Sequence, residues 1–127
     1  PAIGRHEVLV ADAATWKETG RVAVKGQPVF VMASPDGRQI WVNFAFPDNG
    51  WVQVIDTLSG QVVQTLQPGK AVLHMEFTPR GEAVWLSARD DNRVVIYDTK
   101  TFRNLGGFPA EAPSGIFFSS RAARIGF

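Results

Sequence analysis

The chain contains no cysteine and two histidines, so the side chains that could do chemistry are few. His74 stands among Val72, Leu73, Met75 and Phe77, and Glu76 follows it at i+2. On a regular strand the two face the same side. The carboxylate could then orient the imidazole or exchange a proton with it. A local bulge would break that alternation. The structural alternatives are a buried histidine bonded to backbone and a strand-end salt bridge for Glu76. His6 precedes the first strand pattern and is the weaker candidate. One histidine makes no metal site, and no metal site is expected.

Guanidinium and aromatic groups come next. Arg38 and Arg80 sit in tight turns, where solvation is their ordinary role. Arg89 and Arg93 bracket Asp90-Asp91-Asn92, which favours local ion pairing. Arg121 and Arg124 flank the start of the last strand pattern. Phe44, Phe46 and Trp51 surround the irregular segment Ala45–Gly50, and a loop that departs from a regular scaffold can carry a site. Phe117 and Phe118 cannot both face inward on a regular strand. Phosphate-loop, zinc-protease and serine-esterase motifs are absent. Asp36, Asp48, Asp90 and Asp91 lack calcium-loop spacing and read as turn residues.

A repeat must position these groups. Pro35-Asp36-Gly37…Trp41 matches Pro79-Arg80-Gly81…Trp85 with the same internal spacing. Asp12, Asp56 and Asp98 recur 44 and 42 residues apart. A period in the low forties, with short strands between turn signals, marks propeller blades. The expected strands are Glu7–Ala11, Gly20–Val24, Val29–Ala33, Gln39–Phe44, Trp51–Asp56 and Gln61–Leu66. They continue with Val72–Phe77, Ala83–Ser87, Arg93–Asp98, Phe102–Phe108, Gly115–Ser119 and Arg124–Phe127. No stretch carries convincing helical periodicity, so the fold class is all-β.

The phase divides the chain into a partial blade 1–25, blades 26–67 and 68–110, and a partial blade 111–127. Each blade is a four-stranded antiparallel sheet. Three blades' worth of strands is too few for an ordinary closed propeller. The expectation is therefore a C-terminal piece of a larger propeller, or an unusual dimer, and exposed edges would invite self-association. Matched Trp41 and Trp85 should pack between blades. The 13 basic and 12 acidic side chains are interspersed, which argues against nucleic acid as the partner. Beginning at Pro1 directly before a strand pattern, the sequence reads as a mature or truncated product.

His74-Met75-Glu76-Phe77-Thr78-Pro79-Arg80-Gly81-Glu82-Ala83-Val84-Trp85 and Pro113-Ser114-Gly115-Ile116-Phe117-Phe118 together resemble the C-terminal part of the heme d1 biosynthesis family. That family is related to the d1 domain of cytochrome cd1 nitrite reductase. The resemblance covers nearly the whole chain. It implies an eight-bladed propeller with a tetrapyrrole, heme d1 or a precursor, in a central cavity. It also implies a periplasmic protein, membrane-anchored through an upstream segment and acting late in heme d1 synthesis. His74 and Glu76 would then be the catalytic candidates. His74, Arg80, Phe46, Trp51, Arg121 and Arg124 would contact the macrocycle, the arginines through its carboxylates. Other heme d1 maturation proteins or nitrite reductase would be partners. The rivals are a carrier without catalysis, a reductase d1 domain and an interaction scaffold. The sequence lacks the Cys-x-x-Cys-His heme attachment motif of the complete reductase.

Overall fold

The computed structural model describes residues 1–2 and 4–119. Among the described residues ten antiparallel strands follow one another: β1 (Glu7–Ala11), β2 (Glu18–Ala23), β3 (Pro28–Ala33), β4 (Gln39–Phe44), β5 (Val52–Asp56), β6 (Gln61–Leu66), β7 (Val72–Phe77), β8 (Ala83–Ala88), β9 (Arg93–Asp98) and β10 (Asn104–Pro109). They form a two-stranded sheet β1-β2 and two four-stranded sheets, β3-β4-β5-β6 and β7-β8-β9-β10. Every strand pairs with its sequence neighbour, so each sheet is a simple meander.

Recurrent turns explain the sequence period. After β3 and β7 the chain reverses through Gly37 (φ 70°) and Gly81 (φ 81°), a backbone region that glycine enters without a Cβ penalty. The recurring aspartates cap the β1–β2, β5–β6 and β9–β10 hairpins. Asp12 accepts from the amides of Ala14 and Thr15, Asp56 from Leu58 and Ser59, and Asp98 from Lys100 and Thr101. The Thr15 hydroxyl foremost at Asp12, and the amide bonds foremost at Asp56 and Asp98, hold all three carboxyls below their ordinary pKa. The hairpins close with Trp16, Gly60 and Phe102, all at positive φ.

Two cores join the sheets. Met32, Trp41, Val52 and Val54 of the first four-stranded sheet pack with Val72, Met75, Phe77, Val84 and Leu86 of the second. Val8, Val22 and Val24 of the two-stranded sheet pack with Val42, Phe44 and Ile55. Each such side chain contributes about 1.5–3 kcal/mol when fully buried. A cross-sheet hydrogen bond, such as Gln39 Nε2 to the Thr99 carbonyl at 2.8 Å, adds only about 1 kcal/mol. Apolar packing therefore dominates the joint. As expected, Trp41 lies between sheets: it is fully buried, edge-on to Phe77 at 6.1 Å and tilted to Phe102 at 6.2 Å.

Three expected strands differ. β2 starts at Glu18, because a bulge between Val10 and Ala11 extends its pairing with β1. The last hairpin strand starts at Asn104, because Phe102 closes the turn at φ 57° and packs on Trp41 instead. Gly115–Ser119 forms no strand. Strand geometry requires a paired neighbour, and the expected partner, Arg124–Phe127, lies outside the described residues.

Candidate functional site

The inner strands β3 and β7 share an irregularity. The β3–β4 register shifts between Pro28 and Phe30, and the β7–β8 register shifts between Val72 and Met75. A bulge frees an amide from the ladder and re-aims a side chain. In each sheet a polar residue of the next strand takes the freed amide. Asn43 Oδ1 accepts from the Phe30 amide at 2.9 Å, and Ser87 Oγ accepts from the His74 amide at 2.9 Å. The Ser87 hydroxyl also donates to the His74 carbonyl at 3.2 Å.

Phe30 and His74, at the two bulges, form a row of three rings with Phe117 of the following segment. Phe30 and His74 have centroids 4.8 Å apart, and His74 and Phe117 4.9 Å. The ring planes are tilted by 35° and 43°. Phe30 and His74 are half-buried, whereas Phe117 is 80% exposed. The Ile116 amide donates to His74 Nδ1 at 3.3 Å. That bond needs a lone pair on Nδ1, so it places no proton on that nitrogen. Phe118 instead turns edge-on to Trp85 at 5.3 Å, so the paired phenylalanines do divide between two surroundings.

Glu76 resumes the regular register opposite Trp85 and is buried. One carboxylate oxygen accepts from the Phe77 amide at 3.0 Å. The expected His74–Glu76 alternation therefore starts from a bulge rather than from a regular strand.

The remaining candidates separate. Phe46 is 84% exposed, and with Pro47, Trp51, Gly69, Lys70 and Asp90 it lines an open cleft of about 460 Å³. Lys25 Nζ lies 4.8 Å from the Trp51 ring centre and 3.7 Å from Asp48 Oδ1. This cleft is formed by the loops entering β5 and β7 and the turn after β8. Arg80 lies beyond the other end of β7, in the turn to β8. There it pairs with Glu82 and holds that carboxyl below its usual pKa. The structure thus does not bring Arg80 to the Phe46–Trp51 cleft. Arg89 pairs locally with Asp90, as expected. Arg121 and Arg124 lie outside the described residues. Among the described residues, no three His, Asp or Glu side chains group to hold a metal ion.

A family profile described as the cytochrome D1 heme domain matches residues 1–122. The chain belongs to the cytochrome D1 heme domain family. This cytochrome D1 heme domain chain is 56% identical to Protein NirF of Pseudomonas aeruginosa over 99% of its own length and 32% of that relative's. It spans about a third of the curated relatives it matches. Among solved structures it is similar to dihydro-heme d1 dehydrogenase NirN in complex with DHE. There the TM-score is 0.85 at 26% identity, over 95% of this chain and 27% of that one. Apo AztD from Citrobacter koseri matches with a TM-score of 0.72 at 12% identity, over 88% of this chain and 31% of that one. The all-β fold is thus structurally related to propeller proteins.

Asn43, Ser87 and Phe30 join the candidate site without having been sequence candidates. Their signal was present: Phe30 and His74, and Asn43 and Ser87, are pairs 44 residues apart.

Proposed function

We propose that this chain forms part of the wall of a tetrapyrrole-binding cavity in a periplasmic β-propeller protein of heme d1 biosynthesis. The observation that carries the reading is the ring row Phe30–His74–Phe117, built from successive inner segments of a cytochrome D1 heme domain chain. Planar, partly exposed aromatic faces suit a planar macrocycle, and an imidazole among them can exchange a hydrogen bond or a proton with it. The residues present fit a tetrapyrrole substrate in this respect. His74 would contact the macrocycle, Glu76 would be the buried acid of the same strand, and Phe46 and Trp51 would border the rim. The tetrapyrrole supplies the conjugated ring on which maturation chemistry takes place. The chain supplies contact, orientation and exclusion of water.

Closure into an eight-bladed propeller is part of the proposal. Trp16 supports it. By phase Trp16 occupies the hairpin position of Phe102, which packs on Trp41 of the preceding sheet. Trp16 is 85% exposed here, so its proposed counterpart is the equivalent residue of a preceding blade. Other heme d1 maturation proteins are the proposed partners.

Two rings of the row are phenylalanines, which hold a macrocycle but move no proton. That favours a carrier as the second reading. Titrating the full-length protein with heme d1 and with dihydro-heme d1, while following the absorption spectrum and products, separates the readings. Binding with product formation supports an enzyme, binding without conversion supports a carrier, and absence of binding sinks both.

A further inference from the structure

Resting on that reading, the inference concerns what holds the ring row in place. Asn43 is 1% exposed on β4, in a strand otherwise closed by Trp41, Val42 and Phe44. A buried amide is costly unless its donors and acceptor are satisfied. Here it is satisfied by two neighbouring sheets. Oδ1 accepts from the Phe30 amide at 2.9 Å. Nδ2 donates to the Val72 carbonyl at 2.8 Å and to the Leu73 carbonyl at 3.1 Å. Val72 and Leu73 lead directly into His74 and lie within the register shift of β7. One side chain therefore stitches both bulges, the one that aims Phe30 and the one that aims His74. Ser87 occupies the same phase in the next sheet, but among the described residues its side chain bonds to the His74 backbone of its own sheet.

We propose that Asn43 is the positioning residue of the tetrapyrrole wall. It sets the spacing of the Phe30 and His74 rings across the joint between two sheets. It touches no ligand; it acts through the backbone of the two residues that do. A rigid aromatic contact needs such support, because rings placed loosely lose orientation.

Asn43→Ser is the informative variant. A serine hydroxyl can still accept from the Phe30 amide, as Ser87 does for His74, but it cannot reach both carbonyls of the neighbouring sheet. In the full-length protein, N43S is expected to keep a cooperative thermal transition. It should bind heme d1 about tenfold more weakly, with a displaced absorption band and shifted His74 imidazole nitrogen resonances in the free protein. Folded N43S with unchanged affinity, band position and imidazole resonances would overturn the proposal. Should N43S fail to fold, the wild-type Asn43 side-chain amide signals decide. They are expected to shift when heme d1 is added, and unshifted signals overturn the proposal. A wild type that does not bind heme d1 sinks the functional reading instead, while the imidazole resonances of free N43S still test whether Asn43 governs the ring.

Discussion

The two four-stranded sheets share one backbone plan and differ in chemistry at three matched positions. The first carries Phe30, Met32 and Asn43, and the second carries His74, Glu76 and Ser87. Both have an inner-strand bulge whose freed amide is taken by a side chain of the next strand. Met32 is an ordinary member of the core between the sheets, whereas Glu76 buries a carboxylate at the corresponding place. The repeat thus preserves geometry, and one copy acquires titratable groups without altering the plan. Sheet-to-sheet packing tolerates such replacements because the apolar joint around Trp41 carries the stability.

The largest expected effect tests that division of labour. Trp41→Ala removes a fully buried ring between sheets and should cost about 3–5 kcal/mol in denaturant unfolding. Trp85→Ala, at the matched but half-buried place, should cost less than half of that. Equal losses would break the comparison. Next, His74→Phe converts the second sheet's ring to that of the first. It should leave the melting temperature nearly unchanged yet weaken heme d1 binding about tenfold. Unaltered binding would remove His74 from the site.

A smaller effect concerns the hairpin caps. The carboxyls of Asp12, Asp56 and Asp98 lie below their ordinary pKa of 3.8 when folded. Groups lowered in this way favour folding above that value, and their contribution fades as pH falls through the lowered range. Asp98→Asn should therefore be less stable than wild type near pH 6, with the gap closing as pH falls below 3.8. A gap that widens in acid would contradict the assignment. Smallest of all, Arg80→Ala should leave heme d1 affinity within about twofold, since an exposed pair with Glu82 contributes little.

Much of the framework was legible in the sequence because turns leave local marks. Pro-x-Gly before an apolar run, and Asp at the start of a hairpin, each specify a backbone geometry by their own chemistry. All ten strands fall within two residues of the expected bounds at either end, and β10 starts two residues late for a tertiary reason. Phe102 is drawn into the turn by Trp41, a partner 61 residues away. The ring row was only half legible. His74 announced itself by residue type and Phe117 as one of a pair that cannot both face inward, but Phe30 carried no mark of its own until its bulge aimed it. Asn43 and Ser87 stayed hidden because a polar residue in an apolar strand becomes meaningful only beside a freed amide. Arg80 was placed by the chemistry of a carboxylate-bearing ligand, yet the meander puts its turn at the opposite end of β7 from the Phe46–Trp51 cleft.

The most direct test of the central claim compares those two ends in one experiment. Heme d1 added to isotope-labelled full-length protein perturbs nearby nuclei through its ring current and iron. The account predicts that Phe30, His74 and Phe117 signals shift or broaden strongly while those of Arg80 and Glu82 stay in place. Strong perturbation at Arg80 and Glu82, with a silent ring row, would contradict it.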